Sequence, residues 1–385
     1  MPLVEAIFWL TFFCLLYAWV GYPALLTIIT FHCRSAKPLT KDEAQDWPHV
    51  TLLISAYNEE AMLRAKLNNS LALDYPPDRL EIIVVSDAST DRTDEIASAF
   101  AGKGIRLLRQ PQRMGKTAAL NLAVPLATGE LVIFTDADAL FIPSALQRLT
   151  RYFQDPKTGF VSGNTIYAHN TQAGTIEASN LYTRLEIFTK EHESLLGSCV
   201  GADGAIFAIR RNLFQPLAPT DINDFVIPLL VIAQGYNGKL AKRAVCIEES
   251  SDDDSHAYDR QVRITNRTLR AIFHYRQLLN PFRHPWFAFC LVSHKLMKFA
   301  SPFFAVGLLA STIGLYGKGT LFVLFLTGQG VFYVLALLAA LCPSIRRIRL
   351  LGMIFTFCLT NVAMLKGWAT YLNGRTFITW MPGRA

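Results

Sequence analysis

Hydrophobic and polar positions are distributed in two different ways along this chain. At the ends they form long uncharged runs; in the middle they form short apolar runs closed by polar residues. No side chain from Ala6 to Phe31 is charged. A further uncharged run covers Phe299 to Gly317, and another Gly319 to Ile345. Each approaches or exceeds the roughly 20 residues that a helix needs to cross a bilayer. The run from Leu350 to Leu365 is shorter and carries Asn361, so it reads either as a full span or as a re-entrant or interfacial helix. The middle behaves otherwise. Val50 to Ser55, Ile82 to Ser86, Ile105 to Leu108 and Leu131 to Thr135 read as buried strands. Helical stretches lie between them, one starting near Glu59 behind a capping Asn58, another ending near Phe100. Strand, polar loop, helix, strand is the pattern of an α/β, mostly parallel, doubly wound sheet.

Composition agrees with this division. Of 385 residues 51% are hydrophobic and only 17% are charged, against roughly 25% in an average soluble protein. The mean hydropathy of +0.27 excludes a disordered chain. The predicted organisation is therefore an N-terminal transmembrane helix and linker over 1–47 and a soluble α/β domain over 48–257. Amphipathic, interfacial helices follow over 258–298, then a C-terminal region of two or three spans with a tail over 299–385. The net charge of +7 changes the picture only by its location. Arg34, Lys37 and Lys41 follow the first run and Arg346, Arg347 and Arg349 follow the third. The positive-inside bias then places the α/β domain in the cytoplasm, at the inner membrane. The first five residues lack the basic start of a cleaved signal. The seven cysteines show no CxxC or His/Cys cluster, which speaks against a disulfide framework or a zinc site. The acidic run Glu248 to Asp254 reads as a solvated loop.

Candidate chemistry sits at the strand ends. In doubly wound sheets ligands bind beyond the carboxyl ends of the strands, and Asn58, Asp87 and the pair Asp136/Asp138 all fall there. Asp136 and Asp138 project to the same side of an extended segment. Two such carboxylates suit Mg²⁺ or Mn²⁺, which also take phosphate oxygens; as turn formers alone they would simply end a strand. Neither GxGxxG nor GxxxxGK[ST] occurs, so the phosphate site is neither a dinucleotide fingerprint nor a P-loop. Gly115-Lys116 opens a helix where a cation could meet phosphate. Arg260, Arg263, Arg267 and Arg270 share one helix face. Arg267 and Arg270 read as facing anionic headgroups, as basic amphipathic helices do, and Arg260 and Arg263 as facing the site. His274, His284 and His294 read as interfacial.

Taken in order, these motifs resemble family 2 glycosyltransferases of the GT-A fold. Ser55-Ala56-Tyr57-Asn58-Glu59-Glu60, Ser86-Asp87-Ala88-Ser89-Thr90-Asp91, Gly115-Lys116 and Thr135-Asp136-Ala137-Asp138 carry the first half of the likeness. Gly201-Ala202-Asp203-Gly204, Asn223-Asp224-Phe225 and Arg260-Gln261-Val262-Arg263 carry the second. With the flanking spans, the set is similar to membrane-embedded cellulose, chitin, hyaluronan and poly-N-acetylglucosamine synthases. The resemblance implies that Ala56, Tyr57 and Glu59 cradle the nucleotide base and that Asp87 contacts uracil or ribose. It makes Asp136 and Asp138 the DxD pair holding Mg²⁺ or Mn²⁺ and the diphosphate. Asp203 and Phe225 would line the acceptor site, Asp224 would be the general base, and Arg260 and Arg263, with Lys116, would hold the pyrophosphate. It implies a UDP-sugar donor, inversion at the anomeric carbon, a glycan or lipid-linked acceptor and a lipid bilayer as partners, and no nucleic acid.

Two positions depart from the family pattern. Asn223 stands where the TED motif has Glu. The QxxRW-like segment has Arg260 for Gln and Ile264 for the Trp that stacks on acceptor sugar, with Phe225, Trp286 or Trp380 as substitutes. Growth of a polysaccharide with passage through the membrane is one expected outcome; addition of a single sugar to a polyprenyl- or lipid-linked acceptor is the other. A nucleotide-binding domain without activity is a third, against which Asp136, Asp138 and Asp224 speak. The segment Gly374 to Arg384 is expected to return to the catalytic mouth, resembling a gating loop, provided that Leu350 to Leu365 does not span fully.

Overall fold

The structure is a computed structural model and describes residues 2–31, 33, 47–168, 173–249 and 254–378. Four strands carry the first half of the domain: β1 (Val50–Ala56), β2 (Leu80–Ser86), β3 (Ile105–Arg109) and β4 (Leu131–Asp136). They pair in parallel in the order β3-β2-β1-β4. Their bounds lie within two residues of the runs read from the sequence, because each strand is covered on both faces. Leu53, Ile83, Val85, Val132 and Phe134 enter one core. Their neighbours Leu52, Ile54, Ile82, Val84 and Ile133 enter the other. A strand buried on both sides must be apolar at every position, which makes it visible as a run.

The second half of the sheet is mixed. The strands are β5 (Leu140–Phe141), β6 (Thr158–Ala168), β7 (Phe207–Arg210) and β8 (Asn237–Glu249). β7 runs antiparallel to β4 and β6, β6 and β8 are parallel, and β5 closes the edge antiparallel to β8. The sheet order is therefore β3-β2-β1-β4-β7-β6-β8-β5. The Phe160 ring lies directly over Gly238, its register partner, where any Cβ would collide. This close approach lets the long β6–β8 pair reach Glu248 and Glu249. The acidic run expected as a solvated loop is thus a strand at those two positions; 250–253 fall outside the described residues.

Four helices are long and apolar enough, by length and composition, to cross a membrane: Pro2–Thr30, Pro285–Gly314, Thr320–Leu341 and Arg349–Leu372. The segment left open in the sequence is thus one continuous helix of 24 residues. Its Asn361 is buried and accepts a hydrogen bond from Ser301 Oγ at 2.9 Å, and Trp368 Nε1 donates to the Phe299 carbonyl at 2.9 Å. Such pairs satisfy polar groups where no water can. The second helix begins at Pro285 rather than Phe299. It runs through His294, Lys295 and Lys298, charges that hid its continuity in the hydropathy pattern. Residues 285–298 are therefore continuous with this helix.

Helix Asp254–His274 also differs from its expected place on the bilayer surface. Its Ile264 and Leu269 pack with Phe299, Met364, Trp368 and Tyr371. Its Thr265 lies against Gly367, where a Cβ would stand 2.6 Å from Thr265 Cβ and 3.1 Å from the Val262 carbonyl. The helix is held between the α/β domain and the last membrane helix. Gly367→Leu is expected to force the two helices apart and to cost about 1–3 kcal/mol, the usual range for overpacking. Gly328→Leu, at a position with nothing within 4 Å, is expected to leave stability unchanged. Thermal unfolding of the detergent-solubilised protein checks both.

Candidate active site

The loops after β1 and β2 are stitched to each other. Asn58 sits in the left-handed region (φ 53°), as does Ala88 (φ 57°). Asn58 does not cap the following helix, Glu60–Leu71; its Oδ1 accepts from the Thr90 N–H at 2.8 Å instead. The Glu59 N–H donates to Thr93 Oγ1 at 2.8 Å and the Glu60 N–H to Asp91 at 3.1 Å. Ala56, Tyr57, Glu59 and Asp87 thereby come together at the carboxyl ends of adjacent strands, as expected. Asp87 is buried, and both its oxygens are engaged within the chain. They accept from Gln110 Nε2 and the Met114 N–H at 2.7 Å each and from the Gly115 N–H at 2.9 Å. Burial pushes its carboxyl up, and the Met114 and Gly115 amides with Arg113 recover only part of the shift. Asp87 thus orders loop 110–115 in addition to facing the expected base region. From that loop the Arg113 guanidinium lies 3.9 Å above the Tyr57 ring.

Gly115 has φ 90° and is followed by helix Lys116–Ala123. The Lys116 ammonium bonds Asp136 Oδ1 at the end of β4. Burial opposes its charge, but Asp136, then Asp224 and Glu248, outweigh burial and raise its pKa above the ordinary value. Below the Asp136–Asp138 turn lies Lys66, fully buried, donating to Thr135 Oγ1 at 2.8 Å and to the Ala139 carbonyl, with Phe141 4.1 Å away. Burial brings Lys66 down to about 8, against the pull of Cys246, Asp136, Asp138 and Glu248. Sequence reading missed Lys66, because a lysine inside a helix ordinarily faces water.

Glu248 was missed too. β8 brings it to the same mouth: Ile247 pairs with Leu140, two residues beyond Asp138, and Glu248 itself pairs with Tyr167. Burial, then Asp138, Asp136 and Asp203, push its carboxyl up to about 8, with Arg260 opposing. Among the described residues no group of three His, Cys, Asp or Glu side chains is arranged to hold a metal ion. The donor set still fits Mg²⁺ or Mn²⁺, which needs only one or two carboxylates when phosphate oxygens and water complete its shell. Asp136 and Asp138 would hold such a cation, and Lys116 bonds Asp136 from the neighbouring helix.

Asp224 lies in the first turn of helix Asn223–Ala233, where the helix dipole favours an anion. Its Oδ1 is buried with no hydrogen-bond partner. Gly204 lets the carboxylate approach: a Cβ there would be 3.0 Å from Asp224 Oδ2. Burial raises the carboxyl; Lys116, Lys190 and Arg267 oppose that shift and Asp203 adds to it. Asp203 spends its carboxylate on Thr165 N at 3.0 Å, Thr165 Oγ1 at 2.7 Å and Ala205 N at 3.1 Å. It shapes the 201–205 turn rather than presenting free oxygens to an acceptor. Phe225 departs from expectation. It lies in the core, 5% exposed, with its ring 3.2 Å from where a Gly201 Cβ would be. The residue after a helix-opening Asp points inward here, because the helix packs its apolar face on the sheet.

Helix Asp254–His274 aims its arginines at the same place. Arg260 interacts with Tyr167, Glu248 and Asp224. Arg263 feels Asp224 as well, alongside Asp259. Arg267 and Arg270, expected on headgroups, bond backbone carbonyls of this chain. Arg267 donates to the Thr220 carbonyl at 3.0 Å and to that of Asp221, fixing the turn that leads into Asp224. Arg270 donates to the Arg375 carbonyl at 3.1 Å, as does Asn266 Nδ2. Chain 375–378 then reaches the donor loop, its Ile378 carbonyl 2.8 Å from where a Gly115 Cβ would stand. The segment lies at the mouth up to Ile378 although the helix before it is continuous and long enough to span, the arrangement under which no return was expected; 379–384, with Trp380, lie outside the described residues. Ile264 packs at the membrane-helix junction, so an aromatic ring there would not face the Asp224 mouth. Trp286 opens the second membrane helix and is half exposed.

Comparison with known proteins places this geometry. Residues 51–217 match the family described as Glycosyl transferase family 2. The beta-monoglucosyldiacylglycerol synthase of Nostoc sp. is 29% identical over 182 residues, 45% of this chain and 39% of that protein. The poly-beta-1,6-N-acetyl-D-glucosamine synthase of Staphylococcus epidermidis is 26% identical over 215 residues, 54% of this chain and 52% of that protein. The chain thus spans about half or less of the curated relatives it matches. The mannosyltransferase PcManGT from Pyrobaculum calidifontis, solved with GDP-Man and Mn²⁺, superposes with a TM-score of 0.70 at 23% identity. That likeness covers 96% of this chain and 99% of the other, so the fold is shared through the membrane helices as well. Strand ends, acidic turn and family match converge: residues 51–217 are similar to Glycosyl transferase family 2, on the fold of GT-A glycosyltransferases.

Proposed function

We propose that the protein is an inverting hexosyltransferase that takes a sugar from a nucleoside-diphosphate donor, UDP-sugar first, and passes it to an acceptor at the cytoplasmic face of the inner membrane. The observation that carries this reading is the buried, unpartnered Oδ1 of Asp224 beside Lys116 and Arg260. A carboxylate with no donor of its own is ready to accept the acceptor's hydroxyl proton. The cations beside it face the diphosphate leaving group, whose charge grows as the glycosidic bond breaks. A divalent ion held by Asp136 and Asp138 would neutralise the same diphosphate. Lys116 then exchanges Asp136 for phosphate oxygen. In-line attack by the acceptor hydroxyl, with Asp224 taking its proton, would invert the anomeric centre.

For the acceptor, the placement of Ile264 and Phe225 favours addition of a single sugar to a lipid-linked acceptor. Neither offers an aromatic face to a growing glycan. The likeness to a poly-N-acetylglucosamine synthase supports the polymer reading. Product length with purified protein, radiolabelled UDP-sugars and GDP-sugars, and lipid extract decides. A product that partitions into organic solvent with one added sugar supports the first reading; a polymer overturns it.

Asp224→Asn is expected to lower kcat by about 10²–10⁴, the range for a lost general base, with donor affinity retained; full activity in this variant removes the catalytic assignment. Because the Asp224 carboxyl is raised and must be ionised to act, the acid limb of kcat/KM is expected above the ordinary carboxylate range. The metal site gives a second pH effect. With Glu248 held near pH 8, cation binding displaces a proton, so Mn²⁺ affinity, read by electron paramagnetic resonance, is expected to rise several-fold between about pH 6.5 and about pH 8.5. Glu248→Gln is expected to flatten that dependence, and EDTA to abolish transfer.

A further inference from the structure

A second buried polar cluster lies away from the mouth, where the α/β domain meets the membrane helices. Helix Ala173–Leu196 presents Glu186, Lys190 and Glu193 on one face, at spacings of four and three. Glu193 is completely buried. Its Oε1 accepts from Tyr22 Oη of the first membrane helix at 2.7 Å and lies 2.8 Å from His294 Nδ1 of the second. His294 Nε2 lies 2.9 Å from Glu186 Oε2. Lys295 and Lys298 donate to Glu186 at 3.0 and 3.3 Å. Burial pushes the Glu186 carboxyl up, but His294, Lys295 and Lys298 prevail and hold it well below the carboxylate range.

Two further observations show what the cluster touches. Both membrane helices depart into a π-helical turn beside it, at Tyr17–Gly21 and at Leu291–Leu296. Tyr17 Oη and Ser293 Oγ join these turns at 2.8 Å. Turns of this kind inside α-helices re-aim side chains and gather at functional sites. On its other side the cluster reaches the turn before the base. Glu193 Oε2 accepts from the Val200 N–H at 3.0 Å and Lys190 donates to the Ala202 carbonyl at 3.2 Å. The Ala202 N–H in turn donates to the Asp224 carbonyl at 2.7 Å. An apolar junction would hold these helices at least as firmly. Ionic partners with fixed directions add a defined register between membrane helices and turn.

We propose that Glu193, held by Tyr22 and His294, is a positioning residue that sets the Val200–Asp203 turn, and through it Asp224, from the membrane helices. Acceptor transfer then depends on the state of the membrane junction while donor binding does not. The proposal rests on Asp224 being the base.

The test compares Tyr22→Phe, Glu193→Gln, His294→Gln and the Glu193→Gln/His294→Gln double variant in nanodiscs. kcat per folded molecule, donor KM and the Kd of UDP and GDP with Mn²⁺ are measured for each. Glu193→Gln is expected to lower kcat about tenfold and Tyr22→Phe a few-fold, with nucleotide Kd and donor KM unchanged and the double variant less impaired than the sum of the singles. Tyr22→Phe removes one hydroxyl only and decides the matter where a charge variant fails to fold. Unchanged kcat in Tyr22→Phe and in folded Glu193→Gln overturns the proposal, as does a nucleotide Kd that weakens in step with kcat. Asp224→Asn run alongside separates the two claims. If it is inactive and the junction variants are normal, only the positioning role falls; if it is active, both fall.

Discussion

Removing a carboxylate from water without giving it a donor costs about 1–3 kcal/mol, more for an ion, and Asp224 Oδ1 bears that cost. The surroundings make it tolerable. Lys116, Lys190 and Arg267 all bear on the Asp224 carboxyl, and each comes from a different element: the helix after the donor loop, the helix before the 201–205 turn, and the helix leading to the membrane. None donates to Oδ1. A direct ion pair would have satisfied the oxygen and removed its capacity to take a proton. The nearby cations oppose the upward shift that burial imposes and leave the oxygen open. Gly204 belongs to the same arrangement, because a side chain there would close the space in front of Asp224.

The negative charge of the mouth is balanced in the same indirect way. Asp136, Asp138, Glu248, Asp203 and Asp224 converge from β4, the 136–139 turn, β8, the 201–205 turn and helix Asn223–Ala233. Lys66 and Lys116 answer from opposite sides of the acidic turn. Lys66 is fixed from below to Thr135 and the Ala139 carbonyl, and it defines the turn whether or not a ligand is present. Lys116 contacts Asp136 from the helix that opens after Gly115. Two lysines fifty residues apart thus answer the same acidic turn, and burial with Asp138, Asp136 and Asp203 pushes the Glu248 carboxyl up to about 8.

Legibility in the sequence follows from how local each signal is. β1, β2, β3 and β4 were readable because burial on both faces leaves unbroken apolar runs. Asp136 and Asp138 were readable because they end such a run. Lys66, Glu248 and His294 were not, since their meaning lies in partners far along the chain: Thr135 for Lys66, Tyr167 for Glu248, Glu186 and Glu193 for His294. In each case a charged residue resembled solvated surface, and only tertiary contact turned it inward. Phe225 failed in the opposite direction, since its motif neighbour Asp224 faces the mouth while the ring follows the helix into the core. The last membrane helix was ambiguous for a related reason. Asn361 and Lys366 lower its apolar score, yet Asn361 is paired with Ser301 and Gly367 provides the contact with helix Asp254–His274.

That contact explains why the arginine helix cannot simply lie on headgroups. Its apolar side is occupied by Met364, Trp368 and Tyr371 of the last membrane helix, and its arginine side by Asp224, the Thr220–Asp221 turn and the Arg375 carbonyl. A helix gripped on both sides transmits displacement rather than absorbing it. The junction at Glu193 meets the base from the opposite direction, through Val200 and Ala202. The turn carrying Asp224 is therefore fixed between two membrane-anchored supports, one at Arg267 and one at Glu193. A catalytic domain tethered by a flexible linker alone would need no such pair. Supports on both sides of one carboxylate fix its position relative to the sheet and to the apolar helices at once.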